Sequence, residues 1–202
     1  VGGMHASDFV AKAGDTMTGH LTVPTANLTG ILTLPTTTAG AGIIMQGVYN
    51  LIHSYGSANF FAGRNAGNLS MSGYSNTASG GSSLYSNTTG FNNTASGAAS
   101  LYSNTTGFSN AASGVATLYS NTTGYYNTAS GYSALGGNTT GNYNTASGAR
   151  ALQSSTTAEG NTSSGSPSLA SNTTGTYNTA IRYSAGYYPT TGSNNIYLGT
   201  NV

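Results

Sequence analysis

The sequence predicts an all-β fold, a parallel β-solenoid or β-roll built from 17-residue coils. Three observations predict it. Glycines recur every 17 residues at Gly73, Gly90, Gly107, Gly124 and Gly141. That period is too short for helix-pair repeats and too regular for a linker. The chain also contains 15 Tyr, 5 Phe and many Thr, which are residue types that favour pleated structure.

The composition excludes several classes of function. Only 3% of the 202 residues are charged, against about a quarter in an ordinary soluble domain. A formal net charge of +1 provides no basic surface for a nucleic-acid backbone. The absence of Cys excludes a zinc ribbon and a disulfide scaffold. The sequence contains no window of about 18 uninterrupted apolar residues, so no membrane insertion is predicted.

Residues 1–55 differ from the repeats and are predicted to form a short β-rich shaft or connector segment. Alternation at Leu21 and Val23 indicates short strands that are broken by turns. The more apolar stretch from Ile43 to Ile52 fits either a strand or a short helix, because its periodicity does not decide between them.

Residues 56–202 are predicted to form the solenoid itself. Each block reads Asn-Thr-Ala-Ser-Gly, then three variable residues, Leu, and Asn-Thr-Thr two residues later. Two short strands joined by two turns would fill one coil, with Gly and Asn at the turns. Equivalent strands would stack at about 4.8 Å, which places identical residues on one another and favours Asn ladders and stacked rings.

Two kinds of row follow from this stacking. The predicted interior consists of one alanine and one leucine per coil, namely Ala78, Leu84, Ala95, Leu101, Ala112, Leu118, Ala129, Leu135, Ala146 and Leu152. The predicted aromatic rows are Tyr74, Phe91, Phe108 and Tyr125, and separately Tyr85, Tyr102 and Tyr119. These rings either hold successive coils together or present a surface for sugar rings.

Such a thin interior predicts self-association. A buried leucine contributes about 2 kcal/mol, whereas ordering 17 backbones costs on the order of 20 kcal/mol. Other copies of the chain are therefore expected to cover a second face, in a homotrimeric fibre. A monomeric solenoid with a solvated exterior is the alternative. At the ends of the array, Phe60, Phe61 and the segment Ile196, Tyr197, Leu198 are expected to cover the exposed core.

Two stretches of sequence resemble known fibre proteins. Gly14-Asp15-Thr16-Met17-Thr18-Gly19-His20-Leu21 resembles a motif of tail-fibre proteins from tailed bacteriophages. Gly131-Tyr132-Ser133-Ala134-Leu135 and Tyr119-Ser120-Asn121-Thr122-Thr123-Gly124 resemble repeats of phage fibres and bacterial surface proteins. These repeats are similar in turn to the trimeric autotransporter adhesin head, a β-roll in three copies.

The resemblance implies a structural protein of a virion tail fibre, extracellular and homotrimeric, that gives rigid reach and host-surface attachment. It implies contacts with other tail or baseplate proteins through residues 1–55, and with a glycan or protein of the host surface. A bacterial trimeric adhesin is the alternative. The chain departs from the family at Ser79, Ser96, Ser113, Ser130, Ser147 and Ser164, where Ile or Leu is usual, so a trimer axis along this row is expected to be polar.

No catalytic, cofactor or metal site is predicted. The acids Asp8, Asp15 and Glu159 do not form a pair suited to acid and base chemistry. His5, His20 and His53 are too far apart for a local metal pair, although three copies of one histidine could meet on a trimer axis. Serines lack the neighbouring residues of a nucleophilic triad.

Two further interpretations stay open. Triplets such as Asn87-Thr88-Thr89 and Asn121-Thr122-Thr123 match glycosylation acceptors, although turns are the expected role. The threonines Thr77, Thr94, Thr128 and Thr145 form one row that is interrupted by Ala111, and such a row is typical of ice- or surface-binding solenoids.

Overall fold

A computed structural model describes residues 42–46 and 48–200, all of which belong to the compact unit Leu34–Val202. Within this part of the chain, eleven strands form one sheet in sequence order. The predicted all-β parallel solenoid with 17-residue spacing is therefore confirmed. The Gly14–Leu21 motif, the strands predicted at Leu21 and Val23, and the residues His5, His20, Asp8 and Asp15 lie outside the described residues.

The strands are short. Their bounds are β1 Ile44–Gln46, β2 Tyr49–His53, β3 Phe60–Ala62, β4 Thr77–Ser79, β5 Thr94–Ser96, β6 Ala111–Ser113, β7 Thr128–Ser130, β8 Thr145–Ser147, β9 Thr162–Ser164, β10 Thr179–Ile181 and β11 Ile196–Leu198.

The strands from β3 to β11 are parallel and pair in strict register. Thr77 pairs with Thr94, Ala78 with Ala95 and Ser79 with Ser96, and later coils repeat this pattern. In most of these strands the middle residue is buried and its two neighbours are exposed. Alternation along a strand sends successive side chains to opposite faces. The Ala row therefore lines the interior, while the Thr and Ser rows face outward.

Each described coil contains one strand, so the expectation of two strands per coil is wrong. The segment around the leucine row is a succession of turns in which Ser82 and Leu84 have φ of +57° and +50°. Left-handed residues interrupt the pleat of a strand. The backbone still bonds to the next coil, because the Leu84 N–H donates to the Ser100 carbonyl at 3.1 Å.

The N-terminal end of the solenoid is covered by an antiparallel hairpin. Strand β1 pairs with β2, and β2 pairs antiparallel with β3 through Ile52 and His53. The described residues between Ile43 and Ile52 thus form strands and no helix. The Arg64 guanidinium lies 3.4 Å from the centre of the Tyr49 ring, a cation–π contact beside the hairpin.

Only the middle residue of each terminal strand covers the core. Phe61 is fully buried, and Tyr197 packs against the core cluster while partly exposed. The flanking residues Phe60, Ile196 and Leu198 are exposed, because they take the outward positions of their strands. The expectation that these residues also cover the core is therefore wrong.

Candidate functional site: interior ladders, sheet face and aromatic rows

The leucine and alanine rows line the interior along the array. The members named from the sequence have at most 2% of their surface exposed: Ala78, Leu84, Ala95, Leu101, Ala112, Leu118, Ala129, Leu135, Ala146 and Leu152. The leucines adopt left-handed backbone angles throughout, from Leu84 at +50° to Leu152 at +51°. Interior packing therefore holds each leucine in a conformation that an isolated leucine disfavours.

An asparagine ladder, which the stacking of identical residues predicted, runs through the interior beside the alanine row. The Asn93 backbone N–H and Nδ2 both donate to Oδ1 of Asn76, at 3.0 and 3.1 Å, and Nδ2 also donates to the Gly107 carbonyl at 2.8 Å. A buried amide is stable only when its donors and acceptors are paired. The ladder residues are Asn59, Asn76, Asn93, Asn110, Asn127, Asn144, Asn161, Asn178 and Asn195.

A second asparagine ladder follows the leucine row. Nδ2 of Asn121 donates to Oδ1 of Asn104 at 2.8 Å and to the Gly124 carbonyl at 3.0 Å. Asn104, Asn121 and Asn138 share this arrangement, and Asn87 begins the ladder by donating to the Gly90 carbonyl and accepting from Asn104. All of them are fully buried. Asn87 and Asn121 are therefore inaccessible in this fold, which contradicts their reading as glycosylation acceptors.

This second ladder stops at Ser155, which occupies the position of an asparagine. The shorter side chain does not reach the coil before it, so Oδ1 of Asn138 and Oγ of Ser155 have no protein partner. Oδ1 of Asn172 is also unpartnered, and the equivalent position one coil later is Pro189. Three buried polar atoms are thus left without a protein hydrogen bond at the two interruptions.

The coil that contains Ser155 also contains Ala158, where other coils have glycine. A Cβ added to Gly141 would lie 2.4 Å from Oδ1 of Asn138, and one added to Gly124 would lie 2.3 Å from Oδ1 of Asn121. A Cβ at Gly141 would also lie 2.2 Å from the Ala158 carbonyl oxygen, so an alanine at this position crowds both the backbone of the next coil and the asparagine three residues earlier. Ser155 removes the contact with the asparagine side chain, so the two departures from the repeat compensate each other in part.

His53 is the titratable residue that the N-terminal hairpin buries. It is 4% exposed and lies against Phe61 with ring centres 4.8 Å apart. Its Nε2 lies 2.8 Å from the Ala66 carbonyl, and the Tyr55 N–H donates to Nδ1 at 3.3 Å. Both contacts suit the neutral ring with its proton on Nε2. Burial lowers the pKa of His53, and the bond to Ala66 opposes part of that change.

The outward face of the parallel sheet carries the Thr and Ser rows in register. None of its strands from β3 to β11 contains a charged residue. Larger apolar side chains lie on this face at its ends, with Phe60 50% exposed, Ile181 44% and Ile196 72%. The threonine row is exposed as well, with Ala111 at its interruption.

The first predicted aromatic row is a continuous stack. The rings of Tyr74, Phe91, Phe108 and Tyr125 lie face to face with centres 4.8 to 5.0 Å apart. Tyr125 also meets Tyr143 edge to face at 5.5 Å, so another ring covers the end of this row. Each ring face inside the stack is occupied by the next ring. These faces therefore hold coils together and are closed to a ligand.

The second predicted row is a shorter stack with open ends. Tyr85, Tyr102 and Tyr119 lie 5.3 and 5.1 Å apart, with interplanar angles of 7° and 4°. The next position in this row is Gly136, so the described rings stop at Tyr119. A depression of about 600 Å³ opens there, lined by Ala116, Tyr119, Ser133, Gly136, Gly137, Gln153 and Ser154. A second depression of about 490 Å³ adjoins Tyr85 at the other end.

Among the described residues, no group of three or more His, Cys, Asp or Glu side chains could hold a metal ion. The same part of the chain contains no helix that is long and apolar enough to cross a membrane. Comparison of the chain with protein-family models, curated proteins and solved structures found no match. The geometry itself is therefore the basis for a functional proposal.

Proposed function

We propose that the chain is a structural segment of an extracellular fibre, a phage tail fibre, which assembles as a homotrimer and gives rigid reach and contact with a host surface. The observation that carries this proposal is the outward sheet face. It is an in-register array whose strands contain no charged residue, and its Thr and Ser rows end in exposed Phe60, Ile196 and Leu198.

The absence of charge favours burial of this face against copies of itself. Charged side chains are the residues least often found fully buried, and they keep exposed sheets from associating. A face of small Thr and Ser side chains allows close approach of another copy, and hydroxyl groups can hydrogen-bond across it. Exposed Ile181, Ile196 and Leu198 then add apolar area at the C-terminal end of the interface.

The repeat supports a mechanical role. Backbone bonds and the first asparagine ladder join successive coils along the array, and the second ladder and the stacked rings add contacts over part of it. Nine parallel strands from β3 to β11 at about 4.8 Å give a column of about 40 Å. Such an array transmits force along its axis through many small, equivalent contacts. A rigid spacer needs this property, whereas an enzyme does not.

Cysteine cross-linking tests the proposed interface. Ser130 lies on the exposed sheet face, and Thr123 is an exposed residue on the turns of the same coil. Neither position competes with native thiols, because the chain has no Cys. We expect Ser130→Cys to form covalently linked chains on oxidation, since three copies around an axis bring equivalent positions together. Thr123→Cys is the matched control and should stay unlinked.

Equal cross-linking of both variants, or none with Ser130→Cys, would contradict the proposed interface.

A separate measurement addresses the phage assignment. An antibody against the chain should label the tail fibres of purified virions in electron micrographs. Labelling of a bacterial outer surface in the absence of virions would favour the trimeric adhesin instead.

A further inference from the structure

We propose that the depression beside Tyr119 is a binding site for a neutral hexopyranose ring, which stacks on the free face of Tyr119. This inference deepens the proposed attachment function and rests on it for its biological role. It names a ligand class and a site that the fibre role alone does not specify.

The site exists because one ring is missing from a regular stack. The Tyr102 and Tyr119 rings are parallel within 4° at 5.1 Å, so Tyr102 covers one face of Tyr119. The Ser103 N–H donates to the Tyr119 carbonyl. One coil later the equivalent Ser120 N–H donates to the Gly136 carbonyl, so Gly136 is the structural equivalent of Tyr119. Gly136 thus takes the place of the next tyrosine, and the second face of Tyr119 adjoins an empty position.

The dimensions of this position suit one saturated sugar ring. The next residue in the row is Gln153, two coils beyond Tyr119, at a separation of about 10 Å from the usual rise between stacked strands. Subtracting the thickness of the Tyr119 ring and of the Gln153 side chain leaves space for one ring of similar thickness. The volume of about 600 Å³ is within the range of small-molecule sites.

The chemistry of the lining identifies the ligand class. Tyr119 supplies an aromatic face, against which the axial C–H groups of a pyranose pack. Gln153, Ser133 and Ser154 supply an amide and hydroxyls, which hydrogen-bond to sugar hydroxyl groups. None of the lining residues is charged, so a neutral sugar is favoured over an acidic or a phosphorylated one.

The structure also provides a variant that fills the site without removing its parts. Gly136 does not have a positive φ, and a Cβ added there would meet the Ser133 carbonyl at 3.1 Å, a tight contact that a small shift relieves. Tyrosine at 136 would extend the existing stack by one ring and occupy the proposed sugar position. Gly136→Tyr should therefore keep the fold and close the site.

Saturation-transfer NMR with methyl β-D-glucopyranoside, methyl β-D-galactopyranoside, methyl α-D-mannopyranoside and N-acetylglucosamine tests the proposal. We expect the wild-type chain to transfer saturation to at least one of these sugars, most strongly to protons on one ring face. Gly136→Tyr should abolish the signal, and Tyr119→Ala should weaken binding at least tenfold. Tyr119→Phe, which keeps the ring, should stay within about twofold of wild type, because stacking requires the ring and not its hydroxyl.

Absence of binding to all four sugars by the wild-type chain would overturn the proposal. Unchanged binding by Gly136→Tyr would overturn it as well, because the sugar would then lie elsewhere. Thermal unfolding of each variant shows whether a loss of signal reflects loss of the fold. Cross-linking through Ser130→Cys is independent of Tyr119, so failure of sugar binding is distinguishable from failure of the proposed assembly.

Discussion

At the scale of single residues, the asparagine ladders explain how a chain with so few large apolar side chains forms an interior. Most ladder amides donate along the array and also to a backbone carbonyl, as Asn104 does to Asn87 and to Gly107. Paired buried amides avoid the desolvation cost of unpaired ones, which is about 1–3 kcal/mol per group. The interior is therefore half polar, and hydrogen-bond continuity matters as much as apolar area.

The interruption at Ser155 gives a prediction about two coupled positions. The double variant Ser155→Asn, Ala158→Gly should be more stable than wild type by about 2 kcal/mol, because it provides partners for buried atoms such as Asn138 Oδ1. Ser155→Asn alone should bring no such gain, since the new amide oxygen would clash with the Ala158 methyl. Denaturant unfolding of the wild type, both single variants and the double variant measures the coupling.

A stabilising effect of Ser155→Asn alone that equals that of the double variant would show that Ala158 exerts no steric constraint. A double variant no more stable than wild type would show that ladder continuity adds nothing at this site. Asn121→Ser serves as the control in an intact coil. It should lower stability, because it interrupts the ladder where Gly124 already fits an asparagine.

The leucine row gives a prediction that reverses the ordinary effect of glycine. Leu118 is fully buried and has φ of +51°. Leu118→Ala should cost about 3 kcal/mol through lost burial and the cavity it leaves. Leu118→Gly removes more atoms, yet it should be no more destabilising than the alanine variant, because glycine adopts positive φ without strain. Free energies of unfolding from denaturant titration compare the two variants.

In that comparison, a glycine variant clearly less stable than the alanine variant would mean that the left-handed conformation of the leucine row stores little strain. The sequence could not reveal this conformation. Leucine has no local preference for positive φ, so only the closing of a 17-residue coil around its core imposes it.

At the scale of elements, the N-terminal hairpin closes the solenoid by a different kind of strand pairing. Strand β2 is antiparallel to β3, and it places His53 over Phe61. The uniform parallel stack thus does not present an open edge at its N-terminal end. The sequence indicated apolar residues at this end but left strand and helix open for Ile43 to Ile52, because ten residues without clear periodicity do not distinguish them.

Burial of His53 makes the stability of this end depend on pH. Its pKa is lowered in the folded state, so the unfolded chain takes up the proton first as the pH falls. The neutral ring contributes fully to folding stability above about pH 6.5, the ordinary pKa of histidine, and this contribution decreases at lower pH. The melting temperature should therefore decrease as the pH is lowered from about 7.5 to about 5.5.

His53→Gln is the control for this pH dependence. It removes the titrating ring while leaving the other two histidines, His5 and His20, in place. Thermal unfolding followed by circular dichroism at both pH values should show a smaller difference for the variant than for the wild type. Identical differences in the two proteins would assign the pH dependence to other groups.

The coil itself was only partly predictable from the sequence. The 17-residue interval and the alternation within Thr-Ala-Ser predicted parallel strands and an inward alanine, and both are observed. The second strand was not observed, because Ser82 and Leu84 have positive φ, which interrupts the pleat of a strand. The aromatic rows could be predicted from the 17-residue spacing of the rings alone. The depression beside Tyr119 instead depends on the single glycine at position 136.

At the scale of the whole molecule, the described residues form one column of equivalent coils with an uncharged sheet face along it. Burial of this face by other copies is the central claim of the proposed function. The asparagine ladders strengthen the single column beyond what the alanine and leucine rows provide. Two features therefore favour burial of the sheet face by other copies. One is the thin apolar core, and the other is the set of exposed apolar residues Phe60, Ile181, Ile196 and Leu198.

The native mass of the purified chain tests this claim most directly. One chain has a mass of 20.2 kDa, and we expect three times that value, about 61 kDa, by light scattering or native mass spectrometry. The value should persist on dilution to micromolar concentrations, as expected for a fibre segment. A mass of 20.2 kDa for a folded chain would show that the solenoid is stable alone with its sheet face open to solvent, and would contradict the proposed assembly.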